Sequence, residues 1–238
     1  MNLLLLRDDD FLPDGSARLT GRRLLHAREV LRAAQGDVLR AGRLGGLTGT
    51  AEILLLTESE LRLRVELTQE PPPRPGIDLL LALPRPKALR KVLPAAASLG
   101  VDRIVLVNAA RVEKSYFESK VFAGLDELLC QGLEQARDTR LPEVLVRERF
   151  RPFVEDELEA LFAGSARLVA HPAARESLAQ RSGRALLAIG PEGGWVPFEL
   201  ELLRQRGFTA FTLGPRPLRV EVALPYALGA LSRSSTSP

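Results

Sequence analysis

Hydrophobic and polar residues alternate in two different ways along the chain, and the change comes near residue 70. Residues 61–67 alternate strictly between apolar and charged side chains, the period of a strand with one buried face. Similar short runs occupy residues 37–40 and 50–55, and four glycines between them indicate a hairpin connection. A helical pattern covers roughly residues 22–34. Residues 1–70 are therefore predicted to form a small β-barrel that carries one helix.

The second pattern follows the proline-rich segment 71–76, which is predicted to be a stiff linker. The predicted strands are 77–83, 103–107, 143–146, 167–170, 185–189 and 209–213. The predicted helices are 87–99, 123–136, 155–162, 173–180, 197–206 and 219–231. This alternation predicts an α/β domain over residues 77–231, with a mostly parallel sheet covered on both faces. Residues 232–238 are predicted to be a disordered polar tail.

Two loops rich in glycine and proline follow consecutive predicted strands of this domain. Residues 190–194 have the sequence GPEGG and residues 214–218 the sequence GPRPL. Because the carboxyl ends of parallel strands meet at one edge of a sheet, the two loops are expected to form a ligand crevice there. The known glycine-rich phosphate-binding motifs are absent, which disfavours a metabolic enzyme that uses a nucleotide. Glycines that only satisfy tight-turn geometry are the alternative.

Arginine is strongly favoured over lysine. The chain has 33 basic residues, four of them lysines, so 29 are arginines, and the formal charge is +3. Seven arginines fall within residues 18–43, where only Glu29 and Asp37 are acidic. The guanidinium group matches phosphate geometry and stacks on bases, so this bias suits nucleic acid. A GC-rich genome, or a solvated helix face with local ion pairs, also explains the arginines, and these alternatives stay open.

Few residues are suited to metal or redox chemistry. The chain has one cysteine and two histidines, which excludes a disulfide framework and makes a metal centre improbable. No apolar run approaches the length of a membrane span, and the apolar residues 3–6 are too few for a signal peptide core. We expect a cytoplasmic enzyme or binding protein that acts without metal or membrane.

Several motifs resemble one known family. The segments that carry the resemblance are IGPEGGW at 189–195, RGF at 206–208 and LGPRPLRVE at 213–221, together with His26, Val30-Leu31-Arg32 and Gly36-Asp37 near the start. They resemble the bacterial 16S ribosomal RNA (uracil-N3)-methyltransferases of the SPOUT, or α/β-knot, class, and the similarity covers nearly the whole chain. Val196, Pro217, Val222 and Ser98 depart from the family pattern, and Pro225 falls inside the last predicted helix.

The resemblance implies a knotted, parallel-sheet methyltransferase domain preceded by a PUA-like β-barrel that binds RNA. It implies S-adenosylmethionine as cofactor, 16S ribosomal RNA or the small ribosomal subunit as partner, and a homodimer. Backbone of the knotted loops is expected to hold the cofactor. The expected cofactor-binding residues are Ala170, His171, Pro172, Ile189, Gly190, Gly193, Leu213, Gly214 and Leu218.

Methylation of uracil N3 requires removal of a weakly acidic proton, so a nearby positive charge would stabilise the developing anion. Arg219 is the leading candidate for that charge, with a phosphate or carboxylate contact as its alternative. Glu192 is a possible base, although a role in shaping the loop is favoured. Glu221 either pairs with Arg219 or orients the substrate. The expected RNA-binding residues are Arg22, Arg23, Arg28, Arg32, Lys87 and Arg137.

Two further functions stay open beside the one that the resemblance implies. The first is a SPOUT methyltransferase that acts on a ribose 2′-hydroxyl or on transfer RNA. The second is a non-catalytic RNA-binding assembly factor that has kept the fold. Trp195 and Phe198 are either base-stacking residues or packing residues, with packing favoured.

Overall fold

The computed structural model describes residues 3–30, 32–178 and 183–232. The chain divides into two compact units, one of Met1–Pro73 with Cys130–Leu141 and one of Arg74–Leu129 with Pro142–Pro238. The division after Pro73 falls inside the segment predicted as a linker. The segment Cys130–Leu141 groups with the first unit, so Arg137, expected on the methyltransferase domain, lies there instead.

The first unit contains a five-stranded sheet. Its strands are β1 (Leu4–Leu6), β2 (Ser16–Leu19), β3 (Val38–Arg43), β4 (Thr48–Leu56) and β5 (Leu61–Gln69), in the order β1-β3-β4-β5-β2. The β1–β3 pair is parallel and the others are antiparallel. Among the described residues no ladder joins β1 to β2. The three predicted strands are confirmed, and β1 and β2 are additional.

A helical region follows β2 in this unit. It consists of α1 (Gly21–Leu25) and a π-helical turn, His26–Val30. The predicted helix over 22–34 is therefore shorter than expected, since residues 32–34 are not helical and residue 31 lies outside the described residues. Leu24 and Ala27 are buried with the leucines of β1 and β5 in the core of this unit.

The second unit contains a six-stranded parallel sheet. Its strands are β6 (Ile77–Ala82), β7 (Arg103–Val107), β8 (Glu143–Arg147), β9 (Ala166–Ala170), β10 (Ala185–Ile189) and β11 (Thr209–Phe211). The strand order is β11-β9-β10-β6-β7-β8, and every ladder is parallel. All six predicted strands are confirmed. All five residues of β10 are buried, as expected for a strand that lies between β9 and β6.

Helices follow most of these strands. They are α2 (Pro86–Ser98), α3 (Leu125–Ala136), α4 (Phe150–Pro152), α5 (Leu158–Leu161), α6 (Pro197–Gln205) and α7 (Val220–Ser232), with a π-helical turn, Phe153–Glu157, between α4 and α5. α3 begins in the second unit and ends in the first. α2 and α7 pack against each other. Of the predicted polar tail only Ser232 is described, as the end of α7.

The predicted helix over 173–180 is wrong for residues 173–178, and residues 179–180 lie outside the described part. Near residues 176–177 the backbone pairs with the residues that follow β11 and does not form the hydrogen bonds of a helix. Ser177 forms a bridge with Thr212, whose amide also donates to the Glu176 carbonyl at 2.8 Å. An irregular connection, with a turn at residues 172–173, therefore replaces the helix. No helix in the described part is long and apolar enough to span a bilayer.

Candidate functional site

A cavity of about 260 Å³ opens where β9, β10 and β11 end. Its lining contains all nine residues expected to bind the cofactor, so the structure brings them together at one edge of the sheet. Sequence reasoning missed Thr212, Arg216, Val220 and Ala223, which also line it. Val220 and Ala223 lie on α7, and only the fold brings that helix to the cavity.

The first glycine loop is anchored by an aromatic contact. Trp195 is 4% exposed and its ring lies 5.4 Å from the ring of Phe150. The Gly194 amide donates to the Pro191 carbonyl at 2.8 Å and closes the turn between them. Phe198, by contrast, is 56% exposed. Trp195 therefore has a packing contact, while Phe198 lies on the surface of α6.

Glu199, which sequence reasoning did not select, fixes the end of the same loop. Its carboxylate is 3% exposed and accepts the Val196 amide at 2.9 Å and the Ala110 amide at 2.7 Å. Val196 is the N-cap of α6 and has no side-chain acceptor, so the carboxylate three residues later satisfies a free amide of the helix start. The sequence did contain a signal for this role, because a glutamate three residues after the expected start of a helix is typical of a capping residue.

Glu192 and Gly193 connect the loop to two arginines. Glu192 Oε1 lies 3.6 Å from Arg85 Nε and accepts the Arg85 amide at 3.3 Å. The Arg111 guanidinium donates to the Gly193 carbonyl. A Cβ atom at Gly193 would lie 2.8 Å from Arg111 Cδ, so this position requires glycine while Arg111 keeps its place. The loop carboxylate is thus already engaged by a cation.

The second glycine loop has fewer contacts. The hydroxyl of Thr212 accepts the Gly214 amide at 3.1 Å. Residues 214–219 are all exposed. The Arg219 carbonyl accepts the amides of Val222 and Ala223 at 2.9 and 2.8 Å, which starts α7. Arg219 follows the cavity-lining Leu218 but is not itself part of the lining.

Glu221 and His171 have partners of their own. Glu221 Oε1 lies 4.0 Å from Lys91 Nζ on α2, so its ion pair is with Lys91 and not with Arg219. The His171 amide donates to the Phe211 carbonyl at 2.9 Å, and His171 Nδ1 accepts the Ala173 amide at 3.2 Å. The imidazole therefore shapes the turn after β9.

The expected RNA-binding residues differ in availability. Arg23 donates to both carboxylate oxygens of Asp10, at 2.5 and 2.6 Å. Arg22 lies 4.0 Å from Glu134, and Arg28 lies 3.7 Å from Glu29. The remaining three, Arg32, Lys87 and Arg137, are exposed. Arg32 and Arg137 have φ angles of 51° and 60°, the left-handed region that favours glycine.

Comparisons with known proteins agree with this architecture. Residues 70–232 match the family model of the RNA methyltransferase domain. The ribosomal RNA small subunit methyltransferase E of Treponema pallidum is 33% identical over 234 residues, covering 94% of this chain and 87% of the relative. The protein of the same name from Mycobacterium bovis is 32% identical, covering 93% and 88%.

Solved structures share the fold over nearly the full length. The ribosomal RNA small subunit methyltransferase E of Neisseria gonorrhoeae, bound to S-adenosyl methionine, superposes with a TM-score of 0.76 at 23% identity and covers 96% of both chains. A methyltransferase of Legionella pneumophila with bound SAM gives 0.77 at 24% identity, covering 98% and 97%. At these identities the likeness concerns the fold alone, an α/β fold with a parallel sheet.

The fold and the family model place the chain in the class of RNA methyltransferases. Within that class it belongs to the ribosomal RNA small subunit methyltransferase E family, because relatives of that name match it at 32–33% identity over almost its whole length. The family expected from the two loop motifs is confirmed.

Proposed function

We propose that the protein transfers a methyl group from S-adenosylmethionine to N3 of a uridine in 16S ribosomal RNA of the small subunit. The observation that carries this proposal is the cavity between the two glycine loops, in a chain of this family. Ile189, Leu218, Val220 and Ala223 give it apolar surfaces suited to adenosine. Arg216 at the same cavity offers a cation for the cofactor carboxylate.

The bound cofactor supplies an activated methyl group, so the protein must orient the base and stabilise the uracil anion. Arg219 is suited to that second task, since it is an exposed cation next to Leu218 of the cavity. It also starts α7, and the positive end of the helix dipole adds to its field. Arg219 thus favours the form of the base that has lost its N3 proton.

Glu192 and Glu221 have supporting roles in this proposal. Arg85 holds the Glu192 carboxylate, which favours a role in loop shape over one as a base. The Glu221 side chain is 16% exposed and lies beside Lys91, so it braces the first turn of α7 against α2. Both residues then act by positioning Arg219 and the loops.

RNA binding is assigned to the exposed cations of both units. We include Arg22, Arg28, Arg32 and Lys87. Within the described part of the chain, Arg28 has an ion pair of 3.7 Å with Glu29, whereas Arg32 and Lys87 have none. Arg23 contributes indirectly, because its two bonds to Asp10 and one to the Leu5 carbonyl hold α1 on the sheet. Ribosomal subunits are assembled in the cytoplasm, so we place the protein there.

We also propose the finer architecture that the family implies. The five strands of the first unit, together with the helical region that follows β2, are of the right number and size for a PUA-like barrel. The second unit would contain the chain knot, and in support β10 pairs with both β6 and β9 while three loops line one cavity. A crystal structure of the protein with S-adenosylmethionine tests both features.

A homodimer is supported by exposed apolar side chains on α7. Val222 and Tyr226 are 51% and 59% exposed. Because they are four residues apart, they lie on one face of the helix. Light scattering should give twice the chain mass, and Val222→Glu with Tyr226→Glu should give the monomer. A monomeric wild-type protein would contradict the dimer.

Methyl transfer to small subunits isolated without this modification tests the proposed function. The expected product, mapped by mass spectrometry, is N3-methyluridine at one position of 16S ribosomal RNA. A 2′-O-methyl product, or methylated transfer RNA, would identify a SPOUT enzyme of different specificity. Calorimetry that finds no binding of S-adenosylmethionine would favour a non-catalytic assembly factor.

A further inference from the structure

The first unit contains a cleft of its own, of about 460 Å³, between the outer face of the sheet and the segment after α3. Its polar lining residues are Arg40, Thr48, Thr50, Gln69, Glu70 and Arg137. We propose that this cleft binds the phosphodiester backbone of single-stranded RNA, and that Arg40 and Arg137 are its phosphate-binding residues. The proposal rests on the proposed function, since it concerns the RNA substrate.

The two arginines are free to bind an anion. Both are exposed, and neither has a hydrogen bond or ion pair within the described ranges. Most other arginines of this unit differ in that respect: Arg23, Arg43 and Arg64 each hold a carboxylate at 2.8 Å or less. Two unpaired guanidiniums at one cleft match phosphate, which accepts paired N–H donors.

Arg137 stands where a helix normally ends in glycine. The Asp138 amide donates to the Leu133 carbonyl at 3.1 Å, the bond that closes a helix end around a left-handed residue. That residue is Arg137, with φ of 60°. A left-handed backbone conformation is unfavourable for a residue that has a Cβ atom. An unfavourable backbone that carries an unpaired cation into a cleft points to a function for that cation.

The segment that carries Arg137 is docked firmly on the sheet. Thr139 is fully buried; its hydroxyl donates to the Gly46 carbonyl at 2.5 Å, and its carbonyl accepts the Gly45 amide at 2.7 Å. A Cβ at Gly42 would lie 2.5 Å from the Thr139 methyl carbon, so the absence of a side chain at Gly42 permits this contact. Arg137 is therefore held beside the strand that carries Arg40.

Neutral groups of the cleft suit the rest of a nucleotide. Thr50 is the cross-strand partner of Arg40, and the Thr48 hydroxyl bonds to the Gln69 carbonyl. Val38 is not part of the lining, but it lies on the same face of β3 as Arg40 and is 63% exposed, so it offers apolar surface to a ribose or base next to the cleft. Hydroxyl and amide groups can bond to phosphate and ribose oxygens. Glu70 is the one carboxylate of the lining, and its charge is opposite to that of the two arginines.

Binding of a fluorescein-labelled oligouridylate, measured by anisotropy at several salt concentrations, tests the cleft. Arg40→Gln and Arg137→Gly should each raise the Kd about tenfold, the effect of losing a charged hydrogen bond. Together they should lower the salt slope by about 1.4, which corresponds to two single-strand phosphates. Arg137→Gly should leave the melting temperature unchanged or raise it, because glycine favours the left-handed backbone.

Arg64→Gln is the matched control, since it removes one charge from an exposed arginine of the same unit that already pairs with Glu52. If Arg40→Gln and Arg137→Gly change the Kd and salt slope no more than Arg64→Gln does, the cleft proposal is overturned. Binding of labelled polyglutamate with the same dependence on both arginines would also overturn it, in favour of an acidic protein.

Different experiments test the cleft proposal and the proposed function, so one can be wrong while the other holds. Calorimetry with S-adenosylmethionine and methyl transfer to small subunits report on the cavity of the second unit. Normal cofactor binding with unaltered RNA binding in the double variant would overturn the cleft alone. No cofactor binding and no methyl transfer by the wild-type protein would overturn the proposed function, while the RNA titration still decides the cleft.

Discussion

The two glycine loops of the cavity have similar sequences but are fixed to very different degrees. The loop at 190–195 is held by the buried carboxylate of Glu199, by Arg111, by Arg85 and by the packing of Trp195. The loop at 214–219 is exposed throughout and is tied mainly at Thr212. A rigid loop beside an adaptable one suits a site that must hold a cofactor and also admit a base from a large RNA.

The largest expected effect is on the rigid loop. Glu199→Ala removes the buried carboxylate that accepts the amides of Val196 and Ala110, and a hydrogen bond to a charged group contributes about 1.5–3 kcal/mol. We expect the free energy of unfolding to fall by about 3 kcal/mol in chemical denaturation. Glu201→Ala, on the exposed face of the same helix, should cost under about 0.5 kcal/mol. Equal costs would mean that Glu199 does not fix the loop.

A substitution in the adaptable loop at 214–219 should lower activity without changing the stability of the protein. Arg219→Ala keeps the backbone carbonyl that starts α7, so the melting temperature should not change. Methyl transfer should fall about 100-fold, the usual cost of losing one group that stabilises a developing anion. The matched control is Arg90→Ala on the exposed surface of α2. Unchanged methyl transfer in Arg219→Ala would remove this residue from the mechanism.

A smaller effect tests how Arg111 supports the rigid loop. Gly193→Ala places a Cβ within 2.8 Å of Arg111 Cδ and displaces that side chain from the Gly193 carbonyl. We expect the Kd for S-adenosylmethionine to rise about fivefold in calorimetry, or about 1 kcal/mol. In a double-mutant cycle, Gly193→Ala should add little to Arg111→Ala. Additive effects would show that Gly193 contacts the cofactor independently.

The smallest expected effect is on stability as a function of pH. It concerns Asp78, which lies near the amino end of β6. Burial raises the pKa of the Asp78 carboxyl above its ordinary value of 3.8, although Arg184 lies 2.8 Å away and opposes the shift. The folded protein then binds this proton more tightly than the unfolded chain does, so the stability from Asp78 is present below pH 3.8 and falls as pH rises through the folded pKa. Arg184 forms ion pairs with both Asp78 and Asp102. Arg184 and Asp102 are therefore not mutated when Asp78 is tested.

Chemical denaturation of Asp78→Asn at pH 4 and pH 7 measures this dependence. The amide resembles the protonated acid, so the variant should gain stability relative to the wild type on going to pH 7. Asp14→Asn should behave in the opposite way, because bonds from Ser16 lower the pKa of Asp14. The same pH dependence in both variants would contradict the assignment to Asp78.

The parallel sheet could be predicted because its strands are short, mostly apolar runs, continuous in β10 and interrupted only by Asp78 in β6. β1 and β2 could not, because three and four residues are too few to display a period. The segment 173–178 has helix-forming residues, but the pairing of Ser177 with Thr212 outweighs that local preference. The last helix was predicted over 219–231 with Pro225 inside it, and α7 does begin at Val220 and continue through Pro225.

The site was predictable where glycine and proline mark the loops and unpredictable where one side chain reaches across the fold. All nine residues expected to bind the cofactor line one cavity, because they follow strands that end together. Arg111 and Ala110 precede the loop that they contact by more than 80 positions, so no local pattern links them to it. For Glu221, proximity in sequence favoured Arg219, whereas helix packing supplies Lys91.

The position of β10 has a consequence for synthesis of the protein. β10 begins at Ala185 yet pairs on one side with β6, which begins at Ile77. A nascent chain that has emerged only as far as β9 thus has an open slot in the middle of its sheet, with two unpaired strand edges. Folding of this unit must await synthesis of β10, more than 100 residues after β6 begins, and such distant pairing is slow. The growing polypeptide is therefore exposed to aggregation until β10 has emerged.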